Sequence, residues 1–148
     1  PFVHRGEVFS LRNGIVLVDD SYNSSPSALT VALEILNAEK VDGRRVAVLG
    51  EMRELGSRGQ ELHQHSGLMA AKCGLDLLVS VGGPDAMALA DGAIDGGLDP
   101  AQVHHVTTSD EAGPLTASLL QASDLVLVKG SRSVQTDLVV EHLKSELA

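Results

Sequence analysis

Short apolar runs alternate with longer segments of helical periodicity along most of the chain. The runs are rich in valine, and most of them lack the polar alternation of a half-buried strand. Such strands are typical of a parallel sheet that is covered on both faces. The runs predict five parallel strands, at residues 15–20, 45–50, 77–82, 103–107 and 125–131.

Helical segments fill the gaps between these strands. In the first of them, the apolar positions of residues 29–36 recur at helical spacing. Ser25 before Pro26 provides an N-cap and a proline at the first helical position, and Thr108 with Glu111 predicts a capping box. The predicted helices are residues 26–40, 58–73, 84–95, 110–121 and 133–147.

The N-terminal part predicts a β-hairpin. Two apolar runs flank Asn13-Gly14, a pair that readily takes the positive φ angles of a type I′ turn. The first hairpin strand, near residues 6–12, then becomes an antiparallel edge strand. The order of elements predicts an α/β fold, a three-layer Rossmann-like sandwich whose mostly parallel sheet has five parallel strands and this edge strand.

Composition and charge exclude several classes of function. A net charge of −9 without a basic stripe excludes a nucleic-acid groove and disfavours binding to an anionic membrane surface. No apolar run reaches about 18 residues, so no membrane insertion is expected. Cys73 is the only cysteine, which rules out an intramolecular disulfide and favours a reducing compartment. Its surroundings predict a small buried side chain rather than a nucleophile.

The start of the chain predicts a segment of a longer polypeptide. The chain begins without methionine, and residues 1–9 lack the apolar core of a signal peptide.

Polar residues gather just after the predicted strands. In open α/β sheets ligands bind beyond the carboxyl ends of the strands, an edge that we call the rim. The clustering there predicts a binding site. The rim residues are 19–23, 50–54, 82–83, 107–108 and 129–132.

The segment VDDSYNSSP, residues 18–26, allows two interpretations. An acid at a strand end can bind Mg²⁺, pair with a base or accept from a ribose hydroxyl. Asn23 suits an adenine edge, and Tyr22, the only tyrosine, offers a face for stacking. The same residues also make an ordinary loop with an Asx turn and a helix cap, and residue types alone favour that interpretation.

The segment VKGSRS, residues 128–133, is equally open. A buried strand delivers Lys129 to the rim, and Ser131 and Ser133 lie where the last helix is predicted to begin, where free N–H groups favour an anion. Arg132 could pair with a carboxylate through two hydrogen bonds. An N-cap with two solvated cations accounts for the residues equally well.

Other candidates are weaker. Glu51 and Glu54 could serve a metal or an amine, but their pattern favours solvated loop acids. His63 and His65 face different directions on a helix, and His104 and His105 alternate on a strand, so none of the four is predicted to bind metal. Phosphate-loop, dinucleotide and nucleophile-elbow motifs are absent from the sequence.

Four motifs in register resemble a known family. HRGE…NGIVLVDDSYNSSP, VAVLGEMRELG, ELHQHSG and LVLVKGSRS are similar to the C-terminal domain of the Mur ligases, bacterial ATP-dependent amide-forming enzymes of peptidoglycan synthesis. The similarity runs from Arg5 to about Leu143. DDSYN with KGSR is most similar to the members that add D-alanyl-D-alanine to UDP-N-acetylmuramoyl-tripeptide.

The resemblance implies an enzyme domain that is inactive alone. Residues 1–148 would form the last of three domains, with 1–14 as hinge and first hairpin strand. The N-terminal domain holds the UDP-sugar, and the central domain holds most of ATP and Mg²⁺. The family phosphorylates the substrate carboxylate, and an amine attacks the resulting acyl phosphate. A bacterial cytoplasmic enzyme is therefore expected.

The resemblance also implies roles for individual residues. Arg5, Asp20, Tyr22 and Asn23 match positions near the nucleotide. The segment near the incoming dipeptide is matched by Lys129, Ser131 and Arg132, with Arg132 as the partner of its carboxylate. No catalytic residue and no metal ligand is implied in this domain.

Two departures from the family pattern occur. Glu51 stands where the family usually has Asp, and NSS stands at residues 23–25 where NAN is usual. The second change leaves Asn23 intact but removes an amide at Ser25. His63 matches a family position to which the resemblance assigns no role.

Three other functions are compatible with part of the sequence. A phospho-receiver signalling domain also has five parallel strands, and Asp19, Asp20 and Lys129 fit it, but the strand at 77–82 ends in Gly82-Gly83 where an acceptor aspartate is needed. The C-terminal domain of a related ligase, such as folylpolyglutamate synthase, shares fold and reaction but not the two motifs. A non-catalytic interaction module is disfavoured by the rim cluster.

Overall fold

The computed structural model describes residues 6–22 and 24–148. Its strands are β1 (Glu7–Ser10), β2 (Val16–Asp20), β3 (Arg45–Gly50), β4 (Leu77–Val81), β5 (Val103–Val106) and β6 (Leu125–Lys129). Its α-helices are α1 (Pro26–Ala38), α2 (Gly59–Lys72), α3 (Pro84–Asp95), α4 (Ser109–Leu119) and α5 (Asp137–Glu146).

The strands form one sheet in the order β1-β2-β6-β3-β4-β5. Only β1 runs antiparallel to its neighbour; the other described strands pair in parallel. The predicted fold class is therefore confirmed, including the antiparallel edge strand. Insertion of β6 between β2 and β3 is the feature that shapes the functional end of the sheet.

Two apolar clusters cover the two faces of the sheet. Helices α1, α2 and α3 contribute Leu33, Ala70 and Leu89 to one cluster. Helices α4 and α5 contribute Ala112 and Leu143 to the other. Strand residues alternate between the clusters, as successive side chains of a strand must, so the central strands are buried on both faces.

The hairpin turn has the predicted backbone. Asn13 and Gly14 have φ angles of 58° and 73°, the positive values of a type I′ turn. The Ile15 amide donates to the Arg12 carbonyl (3.2 Å), and the Leu11 amide donates to the Ile15 carbonyl (2.8 Å). The connection is thus one residue longer than a two-residue turn, and β1 is shorter than predicted.

The N-caps of α1 and α4 are the residues that the sequence predicts. The Ser25 hydroxyl accepts from the Ala28 amide (3.2 Å), with Pro26 at the first helical position. The Thr108 hydroxyl accepts from the Glu111 amide (3.2 Å), which confirms the cap of α4. Hydrogen bonds from the hydroxyls of Thr107 and Thr108 lower the pKa of the Glu111 carboxyl.

The predicted start of the last helix, residue 133, is wrong. Residues Arg132–Val134 form a 3₁₀ turn, and Gln135 follows with a left-handed φ of 61°. This conformation ends the turn, so α5 begins at Asp137. Ser131 therefore precedes this turn and Ser133 lies within it, and neither stands at the exposed N–H groups of α5.

An ion pair joins two loops at the end of the sheet away from the rim. Asp124 is 1% exposed and accepts from the Arg44 amide, Nε and Nη2 and from the Gln121 amide. The hydrogen-bonded carboxylate raises the pKa of Arg44. The loops that lead into β3 and β6 are thereby held together.

Candidate functional site

The chain reverses its winding direction around β6. Strands β2 and β3 lead into α1 and α2 on one face, whereas β6 lies between them and leads into α5 on the other face. Such switch points open a crevice at the carboxyl ends of the strands. Gly50 and Gly130 line this crevice, and a Cβ on either would come within about 3 Å of Thr136. Glycine at both positions therefore lets Thr136 pack against the ends of the two strands.

Lys129 and Asp20 form an ion pair at the rim. Lys129 Nζ donates to Asp20 Oδ2 at 2.8 Å, and the lysine is 3% exposed. The two residues are register partners on adjacent strands. A buried charge needs a partner of this kind, so Lys129 fixes the Asp20 carboxylate while presenting little surface of its own.

The loop after β2 begins with a tight polar turn. Asp19 Oδ1 accepts from the Ser21 amide (3.1 Å) and from its hydroxyl (2.5 Å). This is the Asx turn that residue types allowed. The turn projects the ring of Tyr22 outward, where it is 69% exposed.

Tyr22 meets Arg132 across the crevice. The Arg132 guanidinium carbon lies 5.8 Å from the ring centroid, within the range of a cation–π contact. A polar cleft of about 200 Å³ opens beside them, lined also by Ser21, Gln135 and Asp137. The contact joins the loop after β2 to the turn after β6, so the two predicted ligand segments form one wall.

A second groove lies away from the rim. It measures about 380 Å³ and is bounded by the hairpin, the segment after α1 and the start of β6. Its walls are mostly apolar, with Val8, Val16 and Val18 prominent. Because it faces the amino ends of the strands, it is not where an open α/β sheet binds its ligands.

Glu51 is buried, so its interpretation as a solvated loop acid is wrong. It is 6% exposed, and its Oε2 accepts from the amides of Gly83 (3.0 Å) and Ala86 (3.2 Å). A carboxylate at a helix N-terminus stabilises the unpaired amides and the helix dipole. Glu51 thus caps α3 from a different loop. Glu54, by contrast, is exposed.

His63 supports the same loop from within. Its Nε2 accepts from the Met52 amide (2.9 Å), and its Nδ1 lies 2.6 Å from the Gly59 carbonyl oxygen. The first bond requires an unprotonated Nε2, so Nδ1 carries the proton and donates to Gly59. The ring is fully buried. The residue that had no assigned role therefore fixes the backbone of the loop after β3.

Arg53 is the residue that this loop delivers to the crevice. Its amide donates to the Ser131 hydroxyl (3.0 Å), and its Nε donates to the Ser133 hydroxyl (3.1 Å). Its Nη1 lies 3.4 Å from Glu51 Oε1. The segment predicted to bind a dipeptide is therefore bordered by Arg53 as well as by Arg132.

The structure brings most predicted site residues to one rim. Asp20 and Lys129 are the last residues of β2 and β6, and Tyr22, Ser131 and Arg132 follow them. Arg5 and Asn23, the other predicted nucleotide contacts, lie outside the described residues. The ligand roles of all seven remain predictions.

The sequence places Arg53 on the rim without indicating a role for it, and the prediction of Glu51 as a solvated acid is wrong. A signal existed for Glu51, because helix α3 begins with Gly83-Pro84 and carries no capping side chain of its own. For Arg53 the signal is tertiary, since Ser131 and Ser133 are about eighty positions away.

Two further observations on the described residues concern metal ions and membranes. Across 6–22 and 24–148, no three His, Cys, Asp or Glu side chains are grouped so that they could hold a metal ion. Over the same ranges, no helix has the length and hydrophobicity needed to cross a membrane.

Comparison with known proteins gives consistent matches. A family model described as Mur ligase, glutamate ligase domain, matches residues 4–132. A protein of Synechocystis named UDP-N-acetylmuramoyl-tripeptide–D-alanyl-D-alanine ligase is 37% identical over 137 residues. That alignment covers 89% of this chain but 28% of the relative. The chain thus spans under a third of this relative.

Solved structures give the same picture. A MurF ligase from Thermotoga maritima in complex with ADP superposes with a TM-score of 0.76 at 28% identity, covering 96% of this chain and 30% of that one. A MurF structure from Acinetobacter baumannii superposes with a TM-score of 0.82 at 28% identity, covering 95% and 30%.

Proposed function

The chain belongs to the Mur ligase family, and on that premise we propose that it is the C-terminal domain of an ATP-dependent amide ligase that adds D-alanyl-D-alanine to UDP-N-acetylmuramoyl-tripeptide. The supporting observation is the match to ligases that are named for this reaction. In the alignment with the Synechocystis ligase, nearly the whole chain corresponds to less than a third of the relative. The missing two thirds would supply the central and N-terminal domains of the same polypeptide.

The described residues of the rim offer contacts for ATP but no group of side chains that would hold Mg²⁺ without the phosphates. The exposed ring of Tyr22 can stack on a base, and the ADP complex of the Thermotoga relative supports a nucleotide ligand. The described residues offer no metal-binding group of three. We therefore place Mg²⁺ and the phosphates mainly on the central domain, where ATP would supply the phosphoryl group of the acyl phosphate.

Asp20 and Tyr22 would contact the nucleotide. Lys129 holds the Asp20 carboxylate at 2.8 Å in an orientation that a ribose hydroxyl or a phosphate-bound cation could meet. Arg132 lies over Tyr22 at 5.8 Å and steadies the ring. Pre-ordered groups bind with a smaller loss of conformational entropy, so this rim is suited to closing over ATP that is already held elsewhere.

Ser131 and Arg132 would seat the incoming dipeptide. The turn at Arg132–Val134 follows β6, and in it Arg132 reaches toward Tyr22 whereas Ser133 accepts a hydrogen bond from Arg53. A guanidinium binds a carboxylate through two parallel hydrogen bonds. Orientation of the dipeptide by its carboxylate would leave its amine free to attack the acyl phosphate.

The structure contradicts the phospho-receiver alternative. Strand β4 ends at Val81 and is followed by Gly82 and Gly83, and the nearest acid, Asp85, lies in the first turn of α3. No acceptor aspartate therefore stands at the end of that strand. A folylpolyglutamate-type ligase is disfavoured by the names of the sequence relatives.

The proposed function places the enzyme in the bacterial cytoplasm, where its nucleotide substrates are made. No nucleic acid or membrane partner is part of the proposal, in keeping with the net charge of −9.

The test is ligase turnover by the full-length enzyme that contains this domain. With MgATP, release of ADP should require both UDP-N-acetylmuramoyl-tripeptide and D-alanyl-D-alanine, and mass spectrometry should detect the pentapeptide product. Product formation with a single amino acid such as D-glutamate, in place of the dipeptide, would assign a different reaction of the family.

A further inference from the structure

We infer that Arg53, on the loop after β3, binds the carboxylate of the incoming amine substrate together with Arg132 and makes the enzyme prefer a free acid at that end; this rests on the proposed function. No motif and no resemblance assigned a role to this side chain. Its anchoring, its remaining hydrogen-bond donors and its charge environment point to the assignment.

Arg53 is anchored to the segment proposed for the dipeptide. Its amide and its Nε donate to the hydroxyls of Ser131 and Ser133, at 3.0 and 3.1 Å. Arg132, between these serines, extends instead toward Tyr22 on the loop after β2. Since β6 lies between β2 and β3, the two guanidinium groups border one turn from opposite sides.

The guanidinium of Arg53 retains donors for a ligand. It has five N–H groups in a planar fork, of which Nε bonds to Ser133 and Nη1 lies near Glu51. In the part of the chain that the structure describes, Nη2 makes no hydrogen bond. The side chain is 53% exposed, so a carboxylate can approach it from the crevice.

The positive charge of Arg53 is only partly compensated. The side chain of its acidic neighbour Glu51 is 8% exposed, and one oxygen of Glu51 is committed to the amides of Gly83 and Ala86. The remaining oxygen lies 3.4 Å from Arg53. A second carboxylate, from a ligand, would therefore gain a charge-assisted hydrogen bond.

The loop presents this cation at a fixed place. His63 holds the Met52 amide from the core, and Glu54 adopts a left-handed φ of 64°, a strained conformation for a side chain of this kind. Strain of this type persists only where the surroundings impose it. The position of Arg53 is thus built into the fold.

The competing interpretation is that Arg53 only ties the loop after β3 to the turn after β6. A tie of that kind would affect every amine substrate equally, whatever its terminus. A carboxylate contact would affect only a substrate with a free acid. D-alanyl-D-alanine and its C-terminal amide differ in this group alone and therefore separate the two roles.

The experiment measures kcat/KM for the dipeptide acid and for the dipeptide amide in the full-length ligase. Arg53→Met should lower kcat/KM for the acid about ten- to a hundredfold, the range for loss of one charge-assisted hydrogen bond. The value for the amide should change by less than about threefold, so the acid-to-amide ratio collapses. Arg53→Lys, which keeps the charge, should restore part of the ratio.

Arg58→Met is the matched control. Arg58 is 64% exposed, immediately precedes α2 and pairs with Glu61, so its loss should leave the ratio unchanged. An equal fall for acid and amide in Arg53→Met, or no fall for either, would overturn the carboxylate assignment while leaving the ligase function intact. A wild-type enzyme that ligates neither compound would instead overturn the proposed function, and the assignment with it.

Discussion

At the scale of single residues, burial changes what position in the sequence suggests. Lys129 was predicted to meet substrate, yet it is 3% exposed and pairs with Asp20. Removing one member of a buried pair leaves an uncompensated charge. The effect of Lys129 on ligands is therefore expected to pass largely through the orientation of Asp20, whereas Arg132 stands exposed and can meet a ligand directly.

Arg132→Ala in the full-length enzyme should raise the KM for D-alanyl-D-alanine about tenfold or more, as loss of a charge-assisted hydrogen bond implies. The KM for ATP should rise less, because only the support of Tyr22 is lost. Steady-state kinetics with each substrate varied in turn measures both. An unchanged KM for the dipeptide would remove the assignment of Arg132.

Cys73 should react slowly with alkylating reagents in the folded chain. Burial raises the pKa of its thiol, and the nearby Glu34 carboxylate adds to the rise. The folded state therefore holds this proton more tightly, and the associated stability is present below the ordinary thiol pKa of about 8.5 and lost as the pH rises above it. Iodoacetamide labelling at pH 8 should be slower in buffer than in urea; equal rates would show an unshifted thiol.

At the scale of elements, the packing of α2 against α3 depends on missing side chains. A Cβ at Gly67 would overlap the carbonyl of Leu89, and a Cβ at Gly92 would overlap the carbonyl of Gln64. Each glycine thus lets the backbone of the partner helix approach. Glycine within a helix weakens it by about 0.5–1 kcal/mol relative to alanine, a cost that the close packing offsets.

Gly67→Ala should therefore destabilise the domain despite its better helix propensity. Overpacking of a filled site costs about 1–3 kcal/mol, which urea denaturation would measure as a lower transition midpoint. Gln64→Ala on the same helix, at an exposed position, should change the free energy of unfolding by less than about 0.5 kcal/mol. A more stable Gly67→Ala variant would mean that the two helices are not in close contact.

Elements could be predicted from the sequence where local chemistry decides them. Valine-rich runs gave the five parallel strands, and Ser25-Pro26 gave the start of α1. The start of α5 could not be predicted, because Gln135 takes a left-handed φ that its residue type does not require. Glu51 is buried against the start of α3. That helix reaches Glu51 only after β4, which precedes it in the chain, has paired with β3. Local patterns therefore fixed the rim, whereas its contacts between loops needed the fold.

At the scale of the whole molecule, the chain has an apolar core of its own and offers one wall of a site. Both faces of its sheet are covered by apolar clusters, so the 148-residue chain should fold alone. Its rim offers an aromatic ring, an oriented acid and arginines, but neither a phosphate-binding loop motif in its sequence nor a metal cluster among the described residues. Such a wall should bind ATP weakly and hydrolyse none of it.

The most direct measurement is an NMR titration of the 148-residue chain with MgATP. The account predicts weak binding, amide shifts confined to residue 5 and to residues 19–23 and 129–133, and no release of phosphate. Shifts centred on the apolar groove at residues 39–42 and 123–125, or sustained ATP hydrolysis by this chain alone, would contradict it.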